Sequence, residues 1–199
     1  MLLFAIALTP KLLRVHSTKP TTGRHIMTRS ILYALSAAAL FPFASAQPQQ
    51  NACKIIDVNI PGRISYPDST AYNSSVSSYY SDQERDLYPG CIFQPTNTSE
   101  VSQFVKLVTA CEGAKFAVRG GGHTLWTGAA NINGGITVDM RSMKDFALSP
   151  DKKIALLGAG GIWNEIYPQL VPYNLTAMGG RVPGIGVGGF VTGGKTVSD

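Results

Sequence analysis

Histidine is scarce in this sequence: there are three in 199 residues, and His123 is the only one beyond position 46. A metal site built on several imidazoles is therefore excluded from that part of the chain, and any histidine chemistry there rests on His123. Cysteine is sparse too, with Cys53, Cys91 and Cys111 as the whole complement, enough for one bridge at most. A long apolar run is also missing. The best candidate, Ile31 to Leu40, falls short of the roughly 20 residues that cross a bilayer and is followed by Pro42, so no stable membrane anchor is expected. Excess charge is the last absence. Lys11, Arg14, Lys19, Arg24 and Arg29 all precede position 47, which leaves 12 of the 17 basic residues to balance the 12 acidic ones. The basic overall balance thus belongs to the leader, and the remainder has no electrostatic footprint for nucleic acid.

The chain begins twice. Met1 to Leu13 is apolar with a basic end, but Met27 opens a better leader: Arg29, the apolar stretch, then Ala44-Ser45-Ala46. That order predicts a signal peptide over 27–46 within a leader of 1–46, cleaved after Ala46, and a secreted product. Asn73, Asn97 and Asn174 each open a glycosylation sequon, which fits that route. In an oxidising compartment three cysteines predict one bridge and one thiol left over.

Residues 47–87 read as a polar, loop-like segment without a usable motif. Organisation begins at 88. Cys91 to Gln94 predicts a strand stopped by Pro95; Thr98 predicts a helix cap, with Val101, Phe104, Val105, Val108 and Cys111 at helical spacing; Lys115 to Val118 predicts the next strand. This is a βαβ unit of right-handed sense. Its helix runs antiparallel to its strands and so brings Cys111 toward the start of the first, which predicts a Cys91–Cys111 disulfide and leaves Cys53 unpaired. Further strands are expected at Ile136–Met140 and Ile154–Leu157, and a short helix on Ile162, Ile166 and Leu170. The fold class is α/β, with the βαβ subdomain leading into a second mixed-sheet subdomain.

Eighteen of the 21 glycines lie between Gly113 and Gly194, clustered at strand ends. The central cluster, Arg119-Gly120-Gly121-Gly122-His123-Thr124, follows a strand directly. Three successive glycines leave amide N–H groups bare, a nest that suits a phosphate or pyrophosphate, with charge from Arg119 and a hydroxyl from Thr124. A tight turn with an incidental histidine is the plain alternative. The later cluster, Gly179 to Gly189, sets small apolar residues between glycines, as backbone packed on a flat ring system requires; an unliganded glycine loop is its alternative. Gly189 to Thr196 matches the P-loop pattern to the letter, but a P-loop needs a helix immediately after the motif, which this sequence has no room for.

Taken in order, Pro89-Gly90-Cys91-Ile92, Phe116 to His123, Gly128-Ala129-Ala130-Asn131-Ile132, Gly158-Ala159-Gly160 before Trp163, and Gly179-Gly180-Arg181 through Gly186-Val187-Gly188-Gly189 resemble the flavin-binding half of berberine bridge enzyme-like FAD-linked oxidases. These belong to the wider group named for p-cresol methylhydroxylase and vanillyl-alcohol oxidase. The resemblance implies a PCMH-type FAD-binding domain over 88–199, with Arg119, Gly120, Gly121, Gly122, His123 and Thr124 on the pyrophosphate and Gly180, Val182, Gly186, Gly188 and Gly189 along the flavin. It implies FAD held covalently through His123, whose neutral imidazole attacks the 8α carbon. Val182 stands where many relatives have a second, cysteinyl link, so a single link is implied. The implied reaction passes a hydride from a small-molecule alcohol, sugar or natural product to FAD, with dioxygen as reoxidant.

Relatives continue with a third glycine and an aromatic-rich strand where this chain has Lys195 to Asp199. The flavin domain is therefore expected to be incomplete here, and the substrate domain absent. The alternative reading is a truncated, catalytically inactive remnant; a glycine-rich secreted binder unrelated to flavin is more distant. The oxidase reading predicts that the transcript's reading frame continues past the codons for Gly193 to Asp199, which sequencing the transcript tests; a true stop there favours the remnant.

Overall fold

A computed structural model describes residues 48–194. The leader expected over 1–46, and Lys195 and Thr196 of the P-loop-like motif, lie outside the described residues. In chain order the elements are α1 (Pro48–Asn59), β1 (Ile64–Ser65), α2 (Thr70–Ser77), α3 (Asp82–Arg85), β2 (Cys91–Phe93), α4 (Thr98–Ala110), β3 (Phe116–Arg119), β4 (Ile136–Asp139), β5 (Phe146–Leu148), β6 (Ala155–Leu157), α5 (Trp163–Leu170) and α6 (Val187–Thr192), with single 3-10 turns at Met140–Ser142 and Val171–Tyr173.

Four strands form one sheet in the order β1-β2-β4-β3. β2, β4 and β3 are parallel, with Phe93 paired to Val138 and Val138 to Val118, while β1 runs antiparallel along the outer edge of β2. β2 and β4 are buried at every residue, as expected of central strands covered on both faces. The β2-α4-β3 unit expected from the sequence is present, but its strands are not neighbours, because β4 inserts between them. β3 is thereby an edge strand, and its residues alternate: Phe116 and Val118 are exposed, Ala117 and Arg119 buried.

The segment read as a polar loop over 47–87 is largely helical, which corrects that expectation. α1 places Ala52, Cys53, Ile56 and Ile60 on one face, and these pack with Phe93, Phe104, Val108 and Ile136 in the main core. Phe93 and Phe104 stack with ring centroids 4.8 Å apart. The helix α4 is capped by Asn97, not by Thr98: the Asn97 side-chain oxygen accepts the Glu100 N–H at 3.0 Å. Glu100 in turn accepts from the Thr96 N–H and from Arg63, which fixes the turn before the helix.

The disulfide joins Cys53 to Cys91, with Cα atoms 6.1 Å apart, and Cys111 is a free, partly buried thiol. The expected Cys91–Cys111 pairing is therefore wrong. α1 lays Cys53 over the start of β2, whereas Cys111 ends α4 against the same core.

A second core, built on Trp163, Ile166, Leu170 and Val187, lies between the β5-β6 hairpin, α5 and α6. No helix of the described residues is long and apolar enough to cross a membrane. The bridge closes a 38-residue separation, for which chain-entropy reasoning gives about 4 kcal/mol. Cys53→Ser should lower the unfolding midpoint accordingly while Cys111→Ser leaves it nearly unchanged; chemical denaturation of the two variants, with peptide mapping of the bridge, checks this.

Candidate cofactor site

The strand alternation that exposes Val118 turns the next residue, Arg119, inward, where it has no exposed surface. Its Nη1 donates to the Ser75 carbonyl at 2.6 Å and to Ser75 Oγ at 3.2 Å; its Nη2 donates to the Ser78 carbonyl at 3.0 Å and to Ser78 Oγ at 3.1 Å. The guanidinium also lies 3.7 Å above the Tyr79 ring. Arg119 thus closes the C-terminal end of α2, where unpaired carbonyls and the helix dipole favour a cation. Burial, then the neighbouring Arg141, pulls its pKa down, while Tyr79 and Asp139 pull the other way. Asp139 completes the group. It accepts Ser75 Oγ at 2.8 Å and pairs with Arg141 at 2.6 Å. Burial works against its charge, but Arg141, Arg119 and Ser75 outweigh it and hold the carboxyl below the usual range.

From this anchor the glycine loop runs alongside residues 78–81. The Tyr80 N–H donates to the Gly122 carbonyl at 3.0 Å. The Tyr80 ring stacks on the His123 imidazole, centroids 3.9 Å apart and planes 12° from parallel. Ser81 Oγ donates to the Thr124 carbonyl at 2.9 Å. Further on, the buried Glu84 accepts the Ala129 and Ala130 N–H groups through one carboxylate oxygen, and the Tyr79 hydroxyl donates to the Ala130 carbonyl. Burial, the largest influence on that hydroxyl, pushes its pKa far up, so it remains a donor. Asn131 donates to the Glu84 and Leu87 carbonyls and accepts Thr137 Oγ1.

The second glycine cluster crosses the first. A Cβ on Gly121 would lie 2.5 Å from the Gly186 nitrogen and 2.6 Å from the Gly184 carbonyl oxygen, and one on Gly186 would strike the Gly121 nitrogen. Only two glycines can cross this closely. Gly122 has φ +73°, and a Cβ there would sit 2.8 Å from Arg119 Nε. Gly184, at φ +85°, lies against the Cδ2–Nε2 side of the His123 ring.

Between the two clusters lies a cleft of about 550 Å³. Gly120 to Thr124 form one wall, and Val118, Ala129, Ala130, Ile185, Gly186, Gly189, Phe190, Thr192 and Gly193 the rest. Among the described residues the amides of Gly120, Gly121, Gly122 and His123 donate no backbone hydrogen bond. Gly189 faces open space within 4 Å of its missing Cβ. Bare amides beside Val118, Ile185 and Phe190 fit a cofactor that combines a diphosphate with a flat apolar ring, so the lining fits FAD.

Of the residues implicated by resemblance, Gly120, Gly121, Gly122, His123, Thr124, Gly186 and Gly189 line this cleft. Arg119 does not: its guanidinium is committed to α2, which corrects its assignment to the pyrophosphate. Gly180 packs under Trp163 and Ile185, Gly188 against the Ala159 carbonyl, and Val182 is about half exposed off the lining. Tyr80, Ser81 and Glu84 are the functional neighbours the sequence reading missed. Their signal was an aromatic pair followed by an acidic turn, in a segment that gave no glycine or strand to mark it.

A cleft that joins two glycine loops at the end of a parallel sheet defines a nucleotide-cofactor domain. The model of the FAD binding domain family matches residues 89–197, more than half of the chain, and the chain belongs to that family. It is 36% identical over 144 residues to the FAD-dependent monooxygenase sdcF of Emericella nidulans, covering 72% of this chain and 30% of that protein. Over 129 residues it is 38% identical to the FAD-dependent monooxygenase tpcD of Cochliobolus heterostrophus, covering 65% and 25% respectively. Among solved structures, BBE-like 1 of Physcomitrella patens is similar with TM-score 0.61 at 27% identity, covering 69% of this chain and 29% of the other. 6-Hydroxy-D-nicotine oxidase of Arthrobacter nicotinovorans follows with TM-score 0.56 at 26%, covering 64% and 27%. Glucooligosaccharide oxidase of Acremonium strictum, a 6-S-cysteinyl, 8α-N1-histidyl FAD protein, shares the fold at TM-score 0.58 and 20% identity, covering 71% and 29%. The chain spans 25–30% of the length of these curated relatives. The resemblance to berberine bridge enzyme-like oxidases and the PCMH-type fold are thereby upheld, and the family is one of FAD-dependent oxidoreductases.

Two glycine variants separate folding from binding. Gly121→Ala should destabilise the protein and lose FAD together, because backbone must move. Gly189→Ala, inside α6, should hold or raise the melting temperature, since alanine favours helix by up to ~1 kcal/mol, while its methyl weakens FAD affinity; fluorescence titration beside thermal melts reads both. Asp139→Asn should destabilise the protein at pH 7, by removing the buried carboxylate that pairs with Arg141 and balances Arg119, which has no exposed surface. The folded carboxyl lies below its unfolded value of about 3.9, so wild type loses this contribution as pH falls through the folded value. The gap between wild type and variant should therefore narrow in acid, as urea unfolding at pH 7 and below pH 4 would show.

Proposed function

We propose that this chain forms the FAD-binding part of a secreted oxidoreductase, in which His123 bonds the flavin and a small-molecule alcohol, sugar or other natural product is the reductant. The observation that carries the reading is the His123 imidazole at the rim of a cleft walled by bare backbone. The amides of Gly120 to His123 would hold the pyrophosphate, with the Thr124 hydroxyl beside them. Val118, Ile185 and Phe190 would cover the ring system and exclude water. When bound, FAD supplies the hydride acceptor and passes electrons on to dioxygen. Val182, in place of a cysteine, leaves His123 as the single covalent attachment.

Several observations support the rest of the reading. A histidyl FAD in a protein of the same fold agrees with the His123 link, and FAD-dependent monooxygenases among the relatives and a 6-hydroxy-D-nicotine oxidase among the similar structures agree with a small-molecule substrate and dioxygen. The Cys53–Cys91 bridge fits an oxidising compartment. Asn73, Asn97 and Asn174 are all exposed, as glycan acceptors must be. Oxidation of substrate is proposed for the whole protein, of whose relatives this chain spans the FAD-binding part.

The test is acid precipitation of the purified chain. Flavin should remain in the pellet for wild type and be absent from the pellet of His123→Ala; wild-type flavin wholly in the supernatant overturns the covalent link. Reduction under anaerobic conditions followed by air should give one hydrogen peroxide per flavin, and reoxidation without peroxide would remove dioxygen from the proposal.

A further inference from the structure

Tyr80 is exposed over 60% of its surface, yet it makes two contacts with one short stretch of the glycine loop and the next residue, Ser81, makes a third. Its N–H holds the carbonyl of Gly122 at 3.0 Å, its ring lies flat on His123 at 3.9 Å, and the next residue, Ser81, holds the carbonyl of Thr124. Residues before, at and after position 123 are thus each held by Tyr80 or Ser81. Opposing them, Gly184 brings only backbone against the Cδ2–Nε2 side of the imidazole. No hydrogen bond among the described residues fixes the ring itself. The stack on Tyr80 is what sets its plane.

An aromatic ring so exposed contributes little to the core, and the main and second cores do not include it. Its position is explained by His123. Imidazole turning about its χ2 axis has a broad torsional minimum, and a parallel ring at 3.9 Å restricts that freedom. Bond formation at a ring nitrogen requires the nitrogen lone pair, which lies in the ring plane, to point at the carbon attacked. A side chain that sets the plane therefore sets the direction of attack.

From this we infer that Tyr80 is a positioning residue for His123, holding the imidazole plane in the orientation required for bonding to the flavin. This rests on the reading of His123 as the flavin-bearing residue. In that bonding an imidazole N–H bond and one C–H bond of the 8α methyl break and one N–C bond forms; the two electrons and two protons pass to the isoalloxazine and then to dioxygen, which leaves as hydrogen peroxide. Tyr80 takes no part in the electron or proton balance. It acts on the rate alone, through the ring and not the hydroxyl.

The experiment follows acid-stable flavin over time after FAD is added to apoprotein of the full chain, for wild type, Tyr80→Phe, Tyr80→Leu, Tyr80→Ala and His123→Ala. Reversible FAD affinity is measured separately by fluorescence quenching, and folding by circular dichroism. Tyr80→Phe should match wild type, whereas Tyr80→Leu and Tyr80→Ala should slow covalent attachment on the order of tenfold with reversible affinity within about threefold. The His123 ring-proton resonances should move downfield in those two variants alone, as the ring current is removed. Leucine keeps apolar cover at position 80, so it serves if alanine perturbs folding. Equal attachment rates in Tyr80→Leu and wild type overturn the role of Tyr80 and leave that of His123 standing. So does loss of reversible FAD affinity in place of rate. Wild type that binds FAD but never yields acid-stable flavin, or His123→Ala that does, overturns the His123 reading and this inference with it.

Discussion

A full positive charge on Arg119 sits at the end of an edge strand with no exposed surface, and the geometry of the glycine loop depends on it. Burying a guanidinium costs several kcal/mol unless its donors are satisfied. Here the Nη1 and Nη2 donors meet the Ser75 and Ser78 carbonyls and hydroxyls at the carbonyl end of α2, while Nε meets no acceptor among the described residues. The strand end and the helix end are thus tied at one point. Gly120 to Thr124 leave from that point, so their amides start from a position defined by a buried ion network and not by the loop's own preferences. Breaking such a network by removing one partner typically costs about 3–5 kcal/mol.

The glycines divide by physical role. Gly121 and Gly186 are glycines because two backbones touch there, and Gly122 because of its positive φ beside Arg119. Gly160 lies under the Met140 carbonyl and Gly179 under the Trp163 ring, each where any Cβ would collide. Gly189 alone among those lining the cleft faces open space. Much of the glycine enrichment is therefore a requirement of local close packing, with the crossing of Gly121 and Gly186 its tightest point, and only a small part of it leaves room for a ligand.

This division explains what could be read from the sequence. The strands β2, β3 and β4 and helices α4 and α5 were legible because apolar spacing and glycine punctuation agree there. The glycine loop was legible as a nest of amides following a strand. The direction of Arg119 was available in principle, since strand parity places it with Ala117 and opposite Val118, but its charge beside a phosphate-like loop suggested the contrary. α1 carried a weak signal in Ala52, Cys53, Ile56 and Ile60, at helical spacing, diluted by polar neighbours. α2 and α3 carried only cap and first-turn signals, Ser69 before α2 and Asp82 and Glu84 in α3, because most of their stability comes from tertiary partners: Asp139 and Arg119 for Ser75, the 129–131 turn for Glu84. With three cysteines, the choice of bridge depended on α1, and missing that helix misplaced the bond.

The Cys53–Cys91 bridge joins α1 to the first residue of β2, and the residues that hydrogen-bond to the glycine loop and its arginine from outside, Ser75, Ser78, Tyr80 and Ser81, all fall between the two cysteines. That stretch is a closed covalent ring whose two ends are both embedded in the main core. A single peptide-bond cut inside it would leave neither fragment free: the upstream piece stays held through Cys53 and the downstream piece through β2. The grip on the loop is in this sense topologically protected, as a clasp is when both of its halves are fastened to the same frame.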